Sequence, residues 1–196
     1  MKRLTILAIL LMVISVPSFA QDIIEKPKEP IKPALIVIDI QKAFLPMMSA
    51  DKEMAMEYIN ALIDLFRKNG YPVIRVYHTS EEYGVTPGTE GFEYPETVKI
   101  LPADPKVLKT YGDGFNQTDL DKVVRATGSN TLFLCGLSAT GCVLATWIGA
   151  QNHDYKAFMV KNAIISPSSE YTKDVEQIFD AISYDMVQLI MDSVQR

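Results

Sequence analysis

The chain has 196 residues, 48% apolar and 22% charged, with a formal net charge of −5. That is enough apolar mass for about one globular domain, and it excludes both a disordered tail and a multidomain machine. The acidic balance leaves no electrostatic footprint for nucleic acid or for an anionic membrane surface.

The first twenty residues differ from the rest. Lys2 and Arg3 precede a 13-residue apolar run from Leu4 to Val16, followed by Pro17 and the small-residue pattern Ser18-Phe19-Ala20. This is the pattern of a secretory signal peptide cut before Gln21. The run is too short for a permanent transmembrane span, which needs roughly 20 residues. Cleavage removes Lys2 and Arg3 and takes the charge from −5 to −7. The expectation is a periplasmic or secreted protein with no stable membrane insertion. Residues 21–33, with Pro27, Pro30 and Pro33 among mixed charges, read as a tether, which leaves 34–196 as the domain.

The domain opens with the aliphatic run Ala34 to Ile38, a strand suited to burial on both faces, and ends it in Asp39. A helix is expected over Asp51 to Lys68, with Met54, Tyr58, Ala61, Leu62 and Leu65 on its apolar face and a stop at Asn69-Gly70. Pro72 to Tyr77 reads as a second strand. The segment from His78 to Pro105 holds four prolines and three glycines, and so long a loop in a compact domain points to function. Lys106 to Lys109 is a short third strand, Thr118 to Thr127 a helix, and Thr131 to Gly136 a fourth strand. A helix from Gly141 to Asn152, a strand from Tyr155 to Val160, a helix from Ser168 to Ile182 and a sixth strand from Met186 to Met191 complete the reading. Strands alternating with helices predict a three-layer αβα fold, Rossmann-like, with about six mostly parallel strands and helices on both faces.

In such sheets ligands bind beyond the carboxyl ends of the strands. Asp39, His78, Lys109 and the turn leading to Cys142 all fall there. Cys142 follows the small-residue turn Gly136-Leu137-Ser138-Ala139-Thr140-Gly141 and opens a helix, whose first-turn amides favour a thiolate. Alone it reads equally well as a small packing residue. Asp39, ending an apolar strand, needs a partner to offset the cost of burying its charge. A carboxylate, an ammonium and a thiol at separate strand ends supply a base, a cationic stabiliser and a nucleophile. The only other cysteine, Cys135, lies seven residues earlier inside a strand, where disulfide geometry is hard to satisfy. Two free thiols are therefore expected, with Cys135 buried and inert.

Four strings carry a resemblance to a known family. They are Val37-Ile38-Asp39-Ile40-Gln41-Lys42-Ala43-Phe44, then Gly91-Phe92-Glu93, then Lys109 through Gly114-Phe115-Asn116-Gln117-Thr118-Asp119-Leu120, and Cys135 through Val143. In this order they resemble the isochorismatase-like cysteine hydrolases, over residues 34 to 191. The resemblance implies an Asp39, Lys109 and Cys142 catalytic triad, a cis peptide between Leu137 and Ser138, and an oxyanion hole from the backbone N–H groups of Ser138 and Cys142. It implies hydrolysis of a small amide or related C–N bond through a thioester, and assembly into a homo-oligomer. Vinyl-ether hydrolysis of the isochorismatase type and a catalytically silent small-molecule-binding domain are the alternatives.

Nicotinamidase relatives carry an Asp-x-His metal motif after the second strand, where this chain reads Tyr77-His78-Thr79-Ser80. With only His78 and His153 present, neither a metal nor another cofactor is expected. Gln41, Phe44, His78, Phe92 and Phe115 are the expected pocket residues, with His78 equally readable as a hydrogen-bonded structural histidine. Trp147 is assigned to the core and His153 to the surface.

Overall fold

The computed structural model describes residues 29–194; the signal-peptide segment 1–20 and residues 21–28 of the tether lie outside the described residues. Five parallel strands form one sheet in the order β3-β2-β1-β4-β5, where β1 is Pro33–Ile38, β2 Val73–His78, β3 Lys106–Lys109, β4 Thr131–Leu137 and β5 Lys156–Ile165. β1 is central, and all six of its residues are buried, as the unbroken aliphatic run requires. Pro33, the last residue assigned to the tether, already belongs to this strand and pairs with Thr131.

Alternation along β1 splits the core into two layers. Leu35 and Val37 face the layer filled from α1 (Lys52–Lys68) and α5 (Tyr184–Val194). Ala34, Ile36 and Ile38 face the layer filled from α2 (Leu120–Ala126), α3 (Leu144–Asn152) and α4 (Ser169–Ile178). This is the expected three-layer arrangement, with one strand fewer. Within α1 the buried stripe is Ala55, Ile59, Leu62, Ile63, Leu65 and Phe66, which includes the expected Leu62 and Leu65; Tyr58 and Ala61 are half-buried at its edge and Met54 is exposed.

The expected sixth strand is helix α5. Val187 and Met191, four residues apart, are its buried contacts, while Met186 and Leu189 are exposed. A short apolar run fits either element, and here Ser183 Oγ decides it by accepting the Met186 amide at 3.2 Å as a helix cap. The preceding helix stops at Ile178, short of the expected Ile182, so that Ile182 forms a lone parallel bridge with Val160. β5 runs past its expected end to Ile165, through Asn162 at a φ of 62°.

Two residues of unusual backbone shape the sheet edge. Asp39 follows β1 with a φ of 53°, and Gly136, paired with Ile38, has a φ of 116°. The register between β4 and β5 slips between Leu134 and Gly136, so β4 ends aimed at the strand tip of β1.

Candidate active site

The carboxyl edge of the sheet brings Asp39, Lys109 and Cys142 together. Lys109 Nζ lies 2.6 Å from Asp39 Oδ2 and 3.1 Å from Cys142 Sγ. It also donates to the Tyr111 carbonyl at 3.3 Å and lies 3.3 Å from His78 Nδ1. Lys109 and Asp39 are 1% and 2% exposed, so this is a buried ion pair, whereas Cys142 is half-buried at the edge of a cavity. Asp39 Oδ1 is buried and has no hydrogen-bond partner among the described residues.

Burial dominates the electrostatics. It raises the Asp39 carboxyl above the usual carboxylate range, more than Lys109 lowers it. Burial, with the Asp39 charge second, pushes the Cys142 thiol up to about 11 despite Lys109. At neutral pH this favours the thiol, so the proton must leave Sγ during reaction. His78 is lowered by burial first and by the Lys109 charge second, which favours the uncharged ring. Its Nδ1 faces the ammonium at 3.3 Å, sharing it with Asp39, Cys142 and the Tyr111 carbonyl.

Cys142 sits in a turn of π-helix over Ala139–Val143 that runs into α3. The Leu137–Ser138 peptide before it is cis. The Ser138 carbonyl accepts the Gly141 and Val143 amides at 2.9 and 3.1 Å, while the Ser138 N–H has no acceptor among the described residues. Cys135 is fully buried, its thiol pushed far up by burial, and both cysteines are free.

A cavity of about 210 Å³ opens over this cluster, with Asp39, His78, Ser138 and Cys142 at its base. Its walls are Phe44, Met47, Met48, Tyr83 and Leu137. Of the expected pocket residues, Phe44 and His78 line it and three do not. Gln41 is fully buried and clamps β2 to the loop after β1, donating to the His78 carbonyl at 2.9 Å and accepting the His78 amide at 2.8 Å. Phe92 is buried beneath the sheet edge against Tyr77, ring centroids 5.1 Å apart. Phe115 crosses to the other core layer and stacks on His153 at 4.9 Å and on Tyr155 at 5.8 Å.

The motif strings act as scaffolding around these side chains. Gly91 lets the Glu90–Phe92 turn lie against Ala43, whose amide donates to the Gly91 carbonyl at 3.0 Å. Gly114 donates to Thr146 Oγ1 at 2.9 Å and ties the loop after β3 to α3. Trp147 packs in the α2–α4 layer and donates to the Ala157 carbonyl at 3.0 Å.

Asp39, His78 and Cys142 place one potential metal ligand atom each within 4.8 Å of one another. The atom all three share as a neighbour is Lys109 Nζ, so the cation this donor set already surrounds is an ammonium. A metal ion at that centre would meet a buried positive charge, and the donor set does not fit one.

The family model for the isochorismatase domain matches residues 33–183. The chain belongs to the isochorismatase family of hydrolases. It is 33% identical over 136 residues to the Bacillus subtilis isochorismatase family protein YddQ, covering 66% of this chain and 76% of that protein. It is 24% identical to maleamate amidohydrolase of Pseudomonas putida, over 68% of this chain and 72% of that enzyme. N-carbamoylsarcosine amidase from Thermoplasma acidophilum superposes with a TM-score of 0.68 at 25% identity, over 78% of this chain and 95% of that one. Hydrolases that cut C–N bonds are thus among the relatives of this family member.

Proposed function

We propose that this hydrolase cleaves a small amide or related C–N bond through a thioester on Cys142. The observation that carries the reading is the unpaired, buried Asp39 Oδ1 beside a thiol whose sulfur Lys109 already contacts at 3.1 Å. Asp39, made more basic by burial, takes the thiol proton, and Sγ attacks the carbonyl carbon while Lys109 offsets the charge. The Ser138 and Cys142 amides hold the oxyanion, a contribution of about 3 to 4 kcal/mol per donor in comparable sites. Asp39 returns its proton to the departing nitrogen. It then deprotonates a water that attacks the thioester, which releases the acid and restores the thiol. Hydrolysis of a C–N bond is also supported by the amidohydrolase and amidase among the relatives.

The same reading includes export to an extracytoplasmic site of action, for which Lys2, Arg3 and the apolar run to Val16 are the support. Assembly into a homo-oligomer belongs to the same reading, with Tyr171 and Ile178 on α4 and Leu189 on α5 as exposed apolar side chains on the two opposite faces of the sheet. The decisive test is mass spectrometry of the full chain quenched during amide turnover. An acyl adduct on Cys142, and loss of ammonia release in Cys142→Ala, are expected. Ammonia release retained by Cys142→Ala, with no acyl adduct, would overturn the thioester.

A further inference from the structure

The reacting groups of this site are charged, but the space they serve is not. Phe44, Met47, Met48, Tyr83 and Leu137 form the walls, and none of them offers a charge to a substrate. At the base, Asp39 and Lys109 already neutralise each other at 2.6 Å, with both side chains sealed from solvent. His78, lowered by burial and the Lys109 charge, faces Lys109 through Nδ1 at 3.3 Å. Tyr83 and Met47 are 68% and 57% exposed, so the rim of the cavity is apolar too. Both are held by local structure, Tyr83 by a tight turn closed by the Ser80–Val85 bridge and Met47 by the 3-10 turn Leu45–Met47.

We infer that the site selects small amides of uncharged, apolar acids. This rests on the hydrolytic reading above and names its substrate class. A carboxylate on the acyl part would be desolvated against thioethers and aromatic rings with no free counterion, and an ammonium would face Lys109 and could pair only with Asp39 Oδ1, the oxygen the reaction needs as its base. Met47 and Met48 add flexible, polarisable walls that favour contact with flat or branched apolar groups. At about 210 Å³ the cavity is smaller than the roughly 300 to 1,000 Å³ of drug-sized sites. That fits an acyl group of the size of a butyryl or benzoyl unit.

The test measures ammonia release by the full chain from benzamide, butyramide, succinamate and glycinamide at neutral pH. In parallel, each compound is assayed for protecting Cys142 from iodoacetamide, read by mass spectrometry. The uncharged amides are expected to show a kcat/KM at least about 100-fold above the charged pair, and to be the compounds that protect. Equal or faster turnover of succinamate would overturn the selectivity and leave hydrolysis standing. Protection by benzamide alone, with no ammonia released from any amide, would remove the hydrolytic reading and keep the apolar site. No protection and no turnover with benzamide would overturn the inference itself. A charge placed on the exposed rim provides the converse test: Met47→Arg is expected to raise succinamate turnover or protection about 10-fold relative to benzamide, and an unchanged ratio counts against the assignment.

Discussion

Asp39 Oδ2 lies 2.6 Å from Lys109 Nζ in a pair sealed from solvent, yet the other carboxylate oxygen, Oδ1, has no hydrogen bond of normal geometry among the described residues, the Cys142 thiol being the other hydrogen-bonding side chain that acts on this carboxyl. A carboxylate optimised for stability would have both oxygens satisfied. Here one oxygen holds the cation and the other is free to move a proton. The ion pair positions the base, and the unsatisfied oxygen is the part of it that can react.

Lys109→Met should therefore harm the fold as well as activity. It leaves Asp39 buried without its counterion, a loss of about 3 to 5 kcal/mol in urea unfolding. The double variant Asp39→Asn/Lys109→Met removes both charges and should recover more than half of that loss while remaining inactive. Additive losses in the double variant would show that the pair is not energetically coupled.

The thiol has a pH signature with a definite sign. Iodoacetamide alkylation of Cys142 should rise with pH toward a midpoint near 11, because burial and the Asp39 charge both disfavour the thiolate. Asp39→Asn removes the second of these and leaves Lys109 in contact with Sγ, so the midpoint falls and alkylation at pH 8 becomes several-fold faster. Amide hydrolysis should move the other way, dropping at least about 100-fold as the base is lost. Slower alkylation of Asp39→Asn would contradict the charge assignment.

Gly136 joins the fold to the site. A Cβ there would lie 2.1 Å from the Ile38 carbonyl oxygen, which is backbone in a central strand and has no room to shift, and the φ of 116° is strained for any side chain. Gly136→Ala should cost at least about 3 kcal/mol in stability. It should also lower kcat, because β1 carries Asp39 one residue on and β4 carries Ser138 two residues on. Gly128→Ala is the control: its φ is also positive, at 71°, but nothing lies within 4 Å, so a cost of about 1 kcal/mol with unchanged kcat is expected.

Strand ends were the most legible feature of this chain, for a physical reason. β1 is an aliphatic run that only a doubly covered strand can bury, so the polar residue ending it must stand at the edge of the sheet, and the same holds for Lys109 and the turn to Cys142. The face a loop residue turns to is not encoded this way. Phe92 and Phe115 sit as near the motifs as Phe44 does, yet one is drawn under the edge by Tyr77 and the other across the sheet by Tyr155. Met47, Met48 and Tyr83 carry no signal beyond following a strand end, because they reach the cavity through turns that fold back over it. The last helix was unreadable as such because six apolar-rich residues satisfy either period.

Phe92 and Phe44 separate scaffolding from binding in one experiment. Phe92 is fully buried, with Lys106 Nζ 4.6 Å from its ring centroid, so Phe92→Ala should cost about 3 to 5 kcal/mol of stability. KM should stay near wild type in the molecules that remain folded, since the ring touches no part of the cavity. Phe44 is half-buried in the cavity wall, its ring 6.0 Å from that of His78. Phe44→Ala should cost less than about 2 kcal/mol but raise KM several-fold for an uncharged amide. Steady-state kinetics beside thermal unfolding of both variants decides the matter, and a KM effect in Phe92→Ala matching that of Phe44→Ala would return Phe92 to the substrate pocket.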